Sequence, residues 1–419
     1  MYDMNLASPT VADDMILISF SAVGLNCMLD ICYNYAMKWK FSYNANKCSV
    51  MTFNGLNHSP RFGFNIGDSD VPVDKFYTHL GIKCDAFLNN SANIDDACIK
   101  LRGTFLSIIN SGVHPEALNP LTSKTIYDTI VIPRSLYGCE LWTNISHTDR
   151  LKLEISHRFV LKYIQSLHRN TNTDFALFTL CSVPLETIID YKKLQFLGQL
   201  CRLPNKYLAK QVFNQRLIRY NNFDHQTAGF VPEIYRLVVK YGLNDVLERY
   251  VRTGLFLEKY IWKNTIKLYI IRRVNSDQLQ RMCERNTSEC VQNCLRELNP
   301  ISIWSTARHS PQLTPLCKTA INAIGSIVSS NYNRRCSLCN LVTTELTVHR
   351  ICLCTNTNLA RRRLWNDILT IVGISTFQEM LPLTPKEYTF KVLCLAVTVH
   401  GDELKYGCSF LRNVCSMLT

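Results

Sequence analysis

Acidic residues are scarce in this 419-residue chain: 33 Asp and Glu stand against 46 Lys and Arg, leaving a formal charge of +13. That balance disfavours cationic partners and favours a polyanion, of which nucleic acid is the commonest. Glycine (16) and proline (14) are few beside a hydrophobic content of 47%, which excludes a disordered or collagen-like chain. Long apolar runs are missing too. The longest clean one, Val392 to Val399, falls well short of the ~20 residues a transmembrane helix needs. No Gly-rich phosphate loop, dinucleotide fingerprint or Ser-His-Asp order stands out, and neither an internal repeat nor a low-complexity tract is visible. The 19 cysteines are odd in number and irregularly scattered, which is not a disulfide scaffold. With no recognisable secretory leader, reduced thiols in the nucleus and cytoplasm are expected.

What is present reads as α+β, mostly α, with room for two or three domains. In the first ninety residues Met15 to Phe20 is an apolar β-type run. Ser21 is placed to cap a helix whose stripe is Leu25, Met28, Leu29, Cys32, Tyr35, Ala36 and Trp39. Cys48 to Phe53, Phe62 to Ile66, Val71 to Val73 and Phe76 to Ile82 read as short strands. Beyond about residue 90 the periodicity turns helical. One helix carries Ile94, Ala97, Cys98, Leu101, Phe105 and Ile108, and a second spans Leu121 to Leu136. A third spans Asp149 to Leu167 with Leu151, Ile155, Phe159, Tyr163 and Leu167 inward; Arg150, His157, Arg158, Lys162 and Arg169 form its basic outer face. A fourth runs from Leu185 and stops before Pro204. Cys290 and Cys294 read as core residues, and Asn299 to Pro311 as a linker. The expected segments are 1–90, 91–205, 206–330 and 331–419.

Asp13 and Asp14 begin the chemistry. Adjacent carboxylates ahead of an apolar run repel each other, and a divalent cation would relieve that repulsion. Phosphoryl transfer to a nucleotide uses such carboxylates to hold paired Mg²⁺ ions.

Val11-Ala12-Asp13-Asp14-Met15-Ile16-Leu17-Ile18 resembles the Tyr-x-Asp-Asp hairpin of reverse transcriptases. Gly24 to Asp30 resembles the helix that follows. Asn44-Ala45-Asn46-Lys47 resembles the next palm turn, and Tyr77-Thr78-His79-Leu80-Gly81-Ile82 the strand pair supporting the primer end. Leu136-Tyr137-Gly138-Cys139-Glu140-Leu141-Trp142 and Lys193 to Gly198 are similar to post-palm helices. The family matched best is the reverse transcriptase of non-LTR (LINE-type) retrotransposons. The resemblance implies a partial palm, a helical thumb and a helical C-terminal region. It further implies RNA-directed DNA polymerisation with Mg²⁺, an RNA template, a DNA primer and deoxynucleotides. Asp13 would bind Mg²⁺ with Asp14 beside it, and His79, Leu80 and Gly81 would seat the primer. Lys47, Arg158 and Lys162 would touch the nucleic-acid backbone. Val11 replaces the family's usual aromatic residue, Pro9 interrupts the first hairpin strand, and the family's upstream metal-binding aspartate and fingers have no counterpart here. The chain is therefore expected to be the C-terminal part of such an enzyme and inactive alone. The alternative is a non-catalytic nucleic-acid-binding protein from a decayed element.

The other constellation is Cys336-x2-Cys339-x9-His349-x4-Cys354. Four soft or borderline ligands at that spacing suit tetrahedral Zn²⁺ in a closed, structural site. Cys352 is the rival fourth ligand; Cys354 is preferred because the longer loop lets His and Cys converge. The arrangement also resembles a zinc-knuckle-like element near the C-terminus of the same retrotransposon proteins. Arg334 and Arg335 precede it. Arg361, Arg362 and Arg363 follow, on a helix expected to end near Trp365, with Arg361 and Arg362 as phosphate contacts.

Overall fold

Helix dominates the computed structural model, which describes residues 8–53, 63–223, 229–285, 288–308, 312–329, 333–398 and 404–419. Strands β1 (Thr10–Val11) and β2 (Asp14–Met15) come first, then helix α1 (Ala22–Trp39). β3 (Asn65–Ile66), β4 (Ser69–Asp70), β5 (Phe76–His79) and β6 (Ile82–Asp85) follow. Next come α2 (Ser91–Asn110), α3 (Pro120–Ile126), α4 (Ile132–Ser135), α5 (His147–Ile164), α6 (Thr173–Phe178) and α7 (Leu185–Arg202). The chain continues through α8 (Leu208–Phe223), α9 (Phe230–Tyr241), α10 (Asn244–Thr253), α11 (Lys259–Glu284), α12 (Glu289–Glu297), α13 (Pro300–Arg308) and α14 (Leu313–Val328). It closes with β7 (Arg334–Arg335), β8 (Val342–Thr343), α15 (Leu346–Val348), α16 (Asn358–Met380), α17 (Pro385–Thr398) and α18 (Leu404–Leu418). Among the described residues no helix is long and apolar enough to cross a membrane.

The chain divides into two compact units, each drawn from three stretches. One comprises Met1–Ala97, Tyr137–Arg150 and Ile189–Thr265; the other comprises Cys98–Leu136, Leu151–Ile188 and Ile266–Thr419.

In the first unit the β structure is a set of separate antiparallel pairs, β1 with β2, β3 with β4 and β5 with β6. Val50 and Val73 add one isolated parallel bridge. The apolar run after Asp14 is strand only as far as Met15. Ile18 and Phe20, beyond the end of that strand, face solvent. The stretch expected as one strand over 76–82 instead turns back at Leu80 and Gly81, whose φ values of 48° and 77° make the two-residue turn that suits a twisted hairpin. Pro9 does no harm where it stands. It precedes β1 in a two-stranded ladder, where both strands are edges, and its carbonyl still accepts from the Ile16 N–H at 3.0 Å.

Helix α1 starts where expected: Ser21 is extended, and its hydroxyl accepts from the Gly24 N–H at 3.0 Å. Leu29 and Ala36 are buried, and Leu29 joins a small core with Val50, Phe64, Ile66 and Val71. Tyr35 and Trp39 depart from the predicted stripe. They are 55% and 61% exposed and pack at a tilt on each other, with Tyr35 also edgewise to Phe41. In the same unit Gly198 of α7 lets Trp262 of α11 lie against the helix backbone; a Cβ there would meet the indole at 2.3 Å. The Trp262 N–H donates to the Leu194 carbonyl at 2.8 Å.

The second unit is built around α14, whose Cys317, Ala320, Ile321 and Ile324 are fully buried. It packs with residues of α12, α13, α16, α17 and α18 in one core. The proposed linker at 299–311 is largely helix α13. Its Ile303, Trp304 and Ala307 are buried, and the Trp304 indole donates to the Thr179 carbonyl at 2.6 Å. An apolar face at i, i+1 and i+4 outweighed the Pro and Ser that flank it; residues 309–311 lie outside the described chain. The helix expected over 121–136 is present as α3 and α4 joined by a π-helical turn, Tyr127–Val131.

Helix α5 faces the other way from its predicted orientation. Leu153, His157, Val160, Leu161 and Ile164 are buried, while Leu151, Ile155, Phe159 and Tyr163 are exposed. A strict i+4 row advances 40° per step on a helix of 3.6 residues per turn, so the row 151–155–159–163 drifts off any one face. Phe159 and Tyr163 cover each other at 6.1 Å, and the Arg102 guanidinium lies over Phe159 at 5.4 Å. Leu167 is buried as expected.

Candidate metal centre and nucleic-acid interface

The β7–β8 hairpin pairs Arg334 with Thr343 and Arg335 with Val342, and so presents the first two cysteines on a tight knuckle. The Cys336 N–H donates to the Leu341 carbonyl and the Asn340 N–H to the Cys336 carbonyl, both at 2.8 Å. Asn340 adopts a left-handed φ of 61°, which asparagine tolerates better than most residues. The second pair of ligands comes from a π-helical turn, His349–Leu353. Its i to i+5 bond, from the Cys354 N–H to the His349 carbonyl at 2.7 Å, places a histidine and a cysteine five residues apart on one side.

Those two elements bring Cys336, Cys339, His349 and Cys354 together, with all ligand atoms within 4.8 Å of one another. The Cys339 sulfur lies 3.1 Å from His349 Nε2. Cys336 and Cys354 are fully buried. Burial raises the Cys336 pKa, but the N–H groups of Cys339 and Leu338, the Cys339 thiol and Arg350 outweigh it and bring it down to about 6. A donor set of three thiols and one imidazole, one of them predisposed to the thiolate, fits a metal such as zinc. Cys352 is turned elsewhere, with its sulfur 3.2 Å from the Thr389 hydroxyl.

The arginines around this centre have different tasks. Arg361 donates to the carbonyls of Ile351 and Cys354, to the Thr357 hydroxyl and to Asn358 Oδ1, all at 2.8–2.9 Å. It therefore clamps the ligand loop from the start of α16, although the sequence suggested a phosphate contact. Arg350 is tied similarly, to the Leu418 carbonyl and the Ser337 hydroxyl. Arg362 and Arg363 face solvent. The helix that carries them does not end near Trp365; it runs on to a break at Gly373 (φ 79°, ψ 168°) and resumes to Met380.

The basic face assigned to α5 is only partly outward. Arg158 Nη1 lies 3.4 Å from the Thr173 hydroxyl, and its Nε is buried without a hydrogen bond. Lys162 donates to the Arg169 carbonyl at 2.7 Å; burial first, then Arg158, lowers its pKa. His157 belongs to the interior, with Nδ1 2.7 Å from the Tyr127 hydroxyl and Nε2 3.1 Å from the Val183 carbonyl.

Burial, chiefly, pulls the His157 pKa from 6.5 to about 4. The depressed folded value sets the sign. The unfolded chain takes up the proton below about 6.5 while the folded one resists until about 4, so the unfolded state gains as pH falls through that window. His157 should thus cost about 3 kcal/mol of stability between pH 6.5 and 4. Urea titrations of the parent and of His157→Gln across that range should diverge, and parallel curves would refute the assignment.

Asp13 and Asp14 do sit on a hairpin. Val11 pairs with Asp14 and Thr10 with Met15, leaving Ala12 and Asp13 as a two-residue turn with Ala12 at φ 54°. Both carboxylates are exposed. Two other motifs come near. Burial, then Cys48, then the Asp14 carboxylate raise the pKa of Tyr77, and the Tyr77 hydroxyl donates to the Lys47 carbonyl at 3.1 Å. Lys47 ends a short 3-10 turn, Ala45–Lys47, capped by the Asn44 side chain. His79, Leu80 and Gly81 form the tip of the β5–β6 hairpin. Among the described residues no third His, Cys, Asp or Glu joins Asp13 and Asp14 in a group able to hold a metal. An exposed pair of this kind is not by itself a two-ion Mg²⁺ site; Asp3 lies outside the described residues.

No family model, curated protein or solved structure matches this chain.

Sequence reasoning missed the ion pairs made by buried carboxylates. In the first unit Lys193 bonds Glu233 at 2.7 Å, and Lys240 and the Tyr241 hydroxyl reach Asp190. In the second, Asp174 receives Arg281 at 2.8 Å and Arg285 at 3.3 Å. The partners are distant in sequence, and no local pattern announces them.

Proposed function

We propose that this chain is a nucleic-acid-binding protein of reverse-transcriptase ancestry, equivalent to the palm end, thumb and zinc-bearing tail of a non-LTR retrotransposon polymerase. One observation carries the reading. Asp13 on the two-residue turn and Asp14 at the start of β2 share the tip of one hairpin, with Lys47 and Tyr77, from two other palm-like motifs, gathered nearby. The Cys336, Cys339, His349 and Cys354 centre supports it as a structural crosslink from which cationic side chains project. Zinc, when bound there, supplies rigidity and no reaction step, because four protein ligands leave no open position. In the intact parent, Asp13 and Asp14 would hold Mg²⁺, Leu80 and Gly81 would seat the primer, and Arg158, Lys162 and Arg362 would meet the backbone of template and primer. Polymerisation by the described residues is not proposed, since the carboxylate pair lacks further metal ligands among them.

The test uses the full chain with a homopolymer template, an oligonucleotide primer, deoxynucleotides and Mg²⁺. No incorporation above background is expected. Synthesis that vanishes in Asp13→Ala would establish a working polymerase instead. In filter binding, affinity for the primer–template should fall by roughly 10³ between 50 and 200 mM salt if about six phosphates are contacted. Absent or salt-independent binding would remove the nucleic-acid reading altogether.

A further inference from the structure

Trp365 is 44% exposed on α16, although the indole is among the side chains a fold most gains by burying. Arg362 lies three residues before it and is its neighbour on the helix surface. Arg362 and Arg363 are both exposed, whereas Leu364 and Ile368 occupy the buried side. The stretch before Asp367 is cationic: the sequence contains no carboxylate between Glu345 and Asp367. The Asp367 carboxylate already accepts from the Asn413 amide at 2.5 Å. Arg361 fastens the same helical turn to the metal loop, so the surface is held in place before any ligand arrives.

We propose that Trp365 is a stacking platform for an unpaired nucleobase, with Arg362 meeting an adjacent phosphate. The proposal rests on the nucleic-acid reading above and narrows it to single strands at this face. An indole takes up a base through its π-face, which a duplex keeps inside its own stack. The Arg362 guanidinium beside it meets a charge that recurs along a strand. An apolar peptide or an uncharged ligand would have no use for an exposed arginine beside the ring. RNA and DNA single strands share this chemistry, so the test includes both.

Binding of fluorescein-labelled oligo(rU) and oligo(dT), about two turns of helix in length, to the full zinc-loaded chain would be followed by anisotropy. Trp365→Ala should weaken both by roughly ten-fold, the loss expected for one stacked base. Trp365→Phe should keep most of the affinity, and Trp365→Leu, which retains bulk but no stacking face, should behave like the alanine variant. Affinity for a duplex of equal length should not change. Arg362→Gln should lower the salt slope by about 0.7, the share of one single-strand phosphate. Zinc content reports folding in each variant. If Trp365→Leu binds as tightly as the parent while parental binding remains salt-dependent, the platform is disproved and the broader reading stands. If the parent binds no oligonucleotide, both fall.

Discussion

Cys339→Ser is expected to abolish zinc binding and to lower the melting temperature of the second unit by on the order of 10 °C. Structural zinc in isolated fingers contributes roughly 10–16 kcal/mol of binding. Here the module also packs through Ile351 and Leu364 into the large core of its unit, so part of its order is held without the ion. A loss near 4 kcal/mol is a fair scale, and for a unit of this size each kcal/mol moves the midpoint by about 2–4 °C. Serine keeps the shape of the side chain but offers a hydroxyl that zinc does not favour. The buried Cys336 and Cys354 would then be left without their common partner. Cys354→Ser should behave the same way, and Cys352→Ser should retain the ion, since its sulfur faces Thr389. Elemental analysis and calorimetry of the four proteins decide the matter. A parent without zinc, or a Cys352→Ser chain that loses it while Cys354→Ser does not, would undo the ligand assignment.

The second large effect is expected at Glu233. Its carboxylate accepts from Lys193 at 2.7 Å and pairs with Arg236, also at 2.7 Å; the Lys193 side chain is 1% exposed and that of Arg236 57%. Glu233→Ala leaves an ammonium in the interior with no counter-charge and should cost about 3–5 kcal/mol. Lys193→Met should be far milder. The carboxylate keeps Arg236, and methionine fills much of the space with no charge to bury. The double change Lys193→Met with Glu233→Leu should recover most of the loss, because a buried ion pair exchanged for apolar packing is often close to neutral. Urea unfolding of the three variants measures this. A Glu233→Ala chain within 1 kcal/mol of the parent would show that Lys193 finds water or another partner.

Sequence was most informative where a local rule governs the outcome. Ser21 starts α1 because a hydroxyl at that position satisfies an orphan N–H, and that logic needs no tertiary context. Likewise the Cys-x2-Cys spacing is a knuckle in itself, and the preference for Cys354 over Cys352 rested on chain reach that a π turn supplies. Sequence misled where partners come from afar. The row Leu151, Ile155, Phe159 and Tyr163 is apolar enough to be core, yet the neighbours of α5 meet its other side and take His157 inward. Asn299 to Pro311 has a loop's composition, but Trp304 finds the Thr179 carbonyl 125 residues away. The hairpin at Leu80 was hidden for another reason: leucine does not announce a left-handed turn. Arg361 shows the same limit on a smaller scale. Three consecutive arginines look alike in sequence, and only the fold distinguishes a clamp from two solvent-facing cations.

That distinction bears on what the formal charge of +13 can do. Lys193 is neutralised in the interior. Lys210 gives its ammonium to the Leu200 and Cys201 carbonyls and the Tyr250 hydroxyl, and Lys318 to the carbonyls of Pro115, Glu116 and Leu118. With Arg361 and Arg350 tied to the metal loop and the C-terminal helix, several of the 46 cations act as internal fasteners for backbone oxygens. Any counterions this protein would displace from a polyanion would therefore be fewer than a tally of its lysines and arginines suggests, and its long-range pull on one correspondingly gentler.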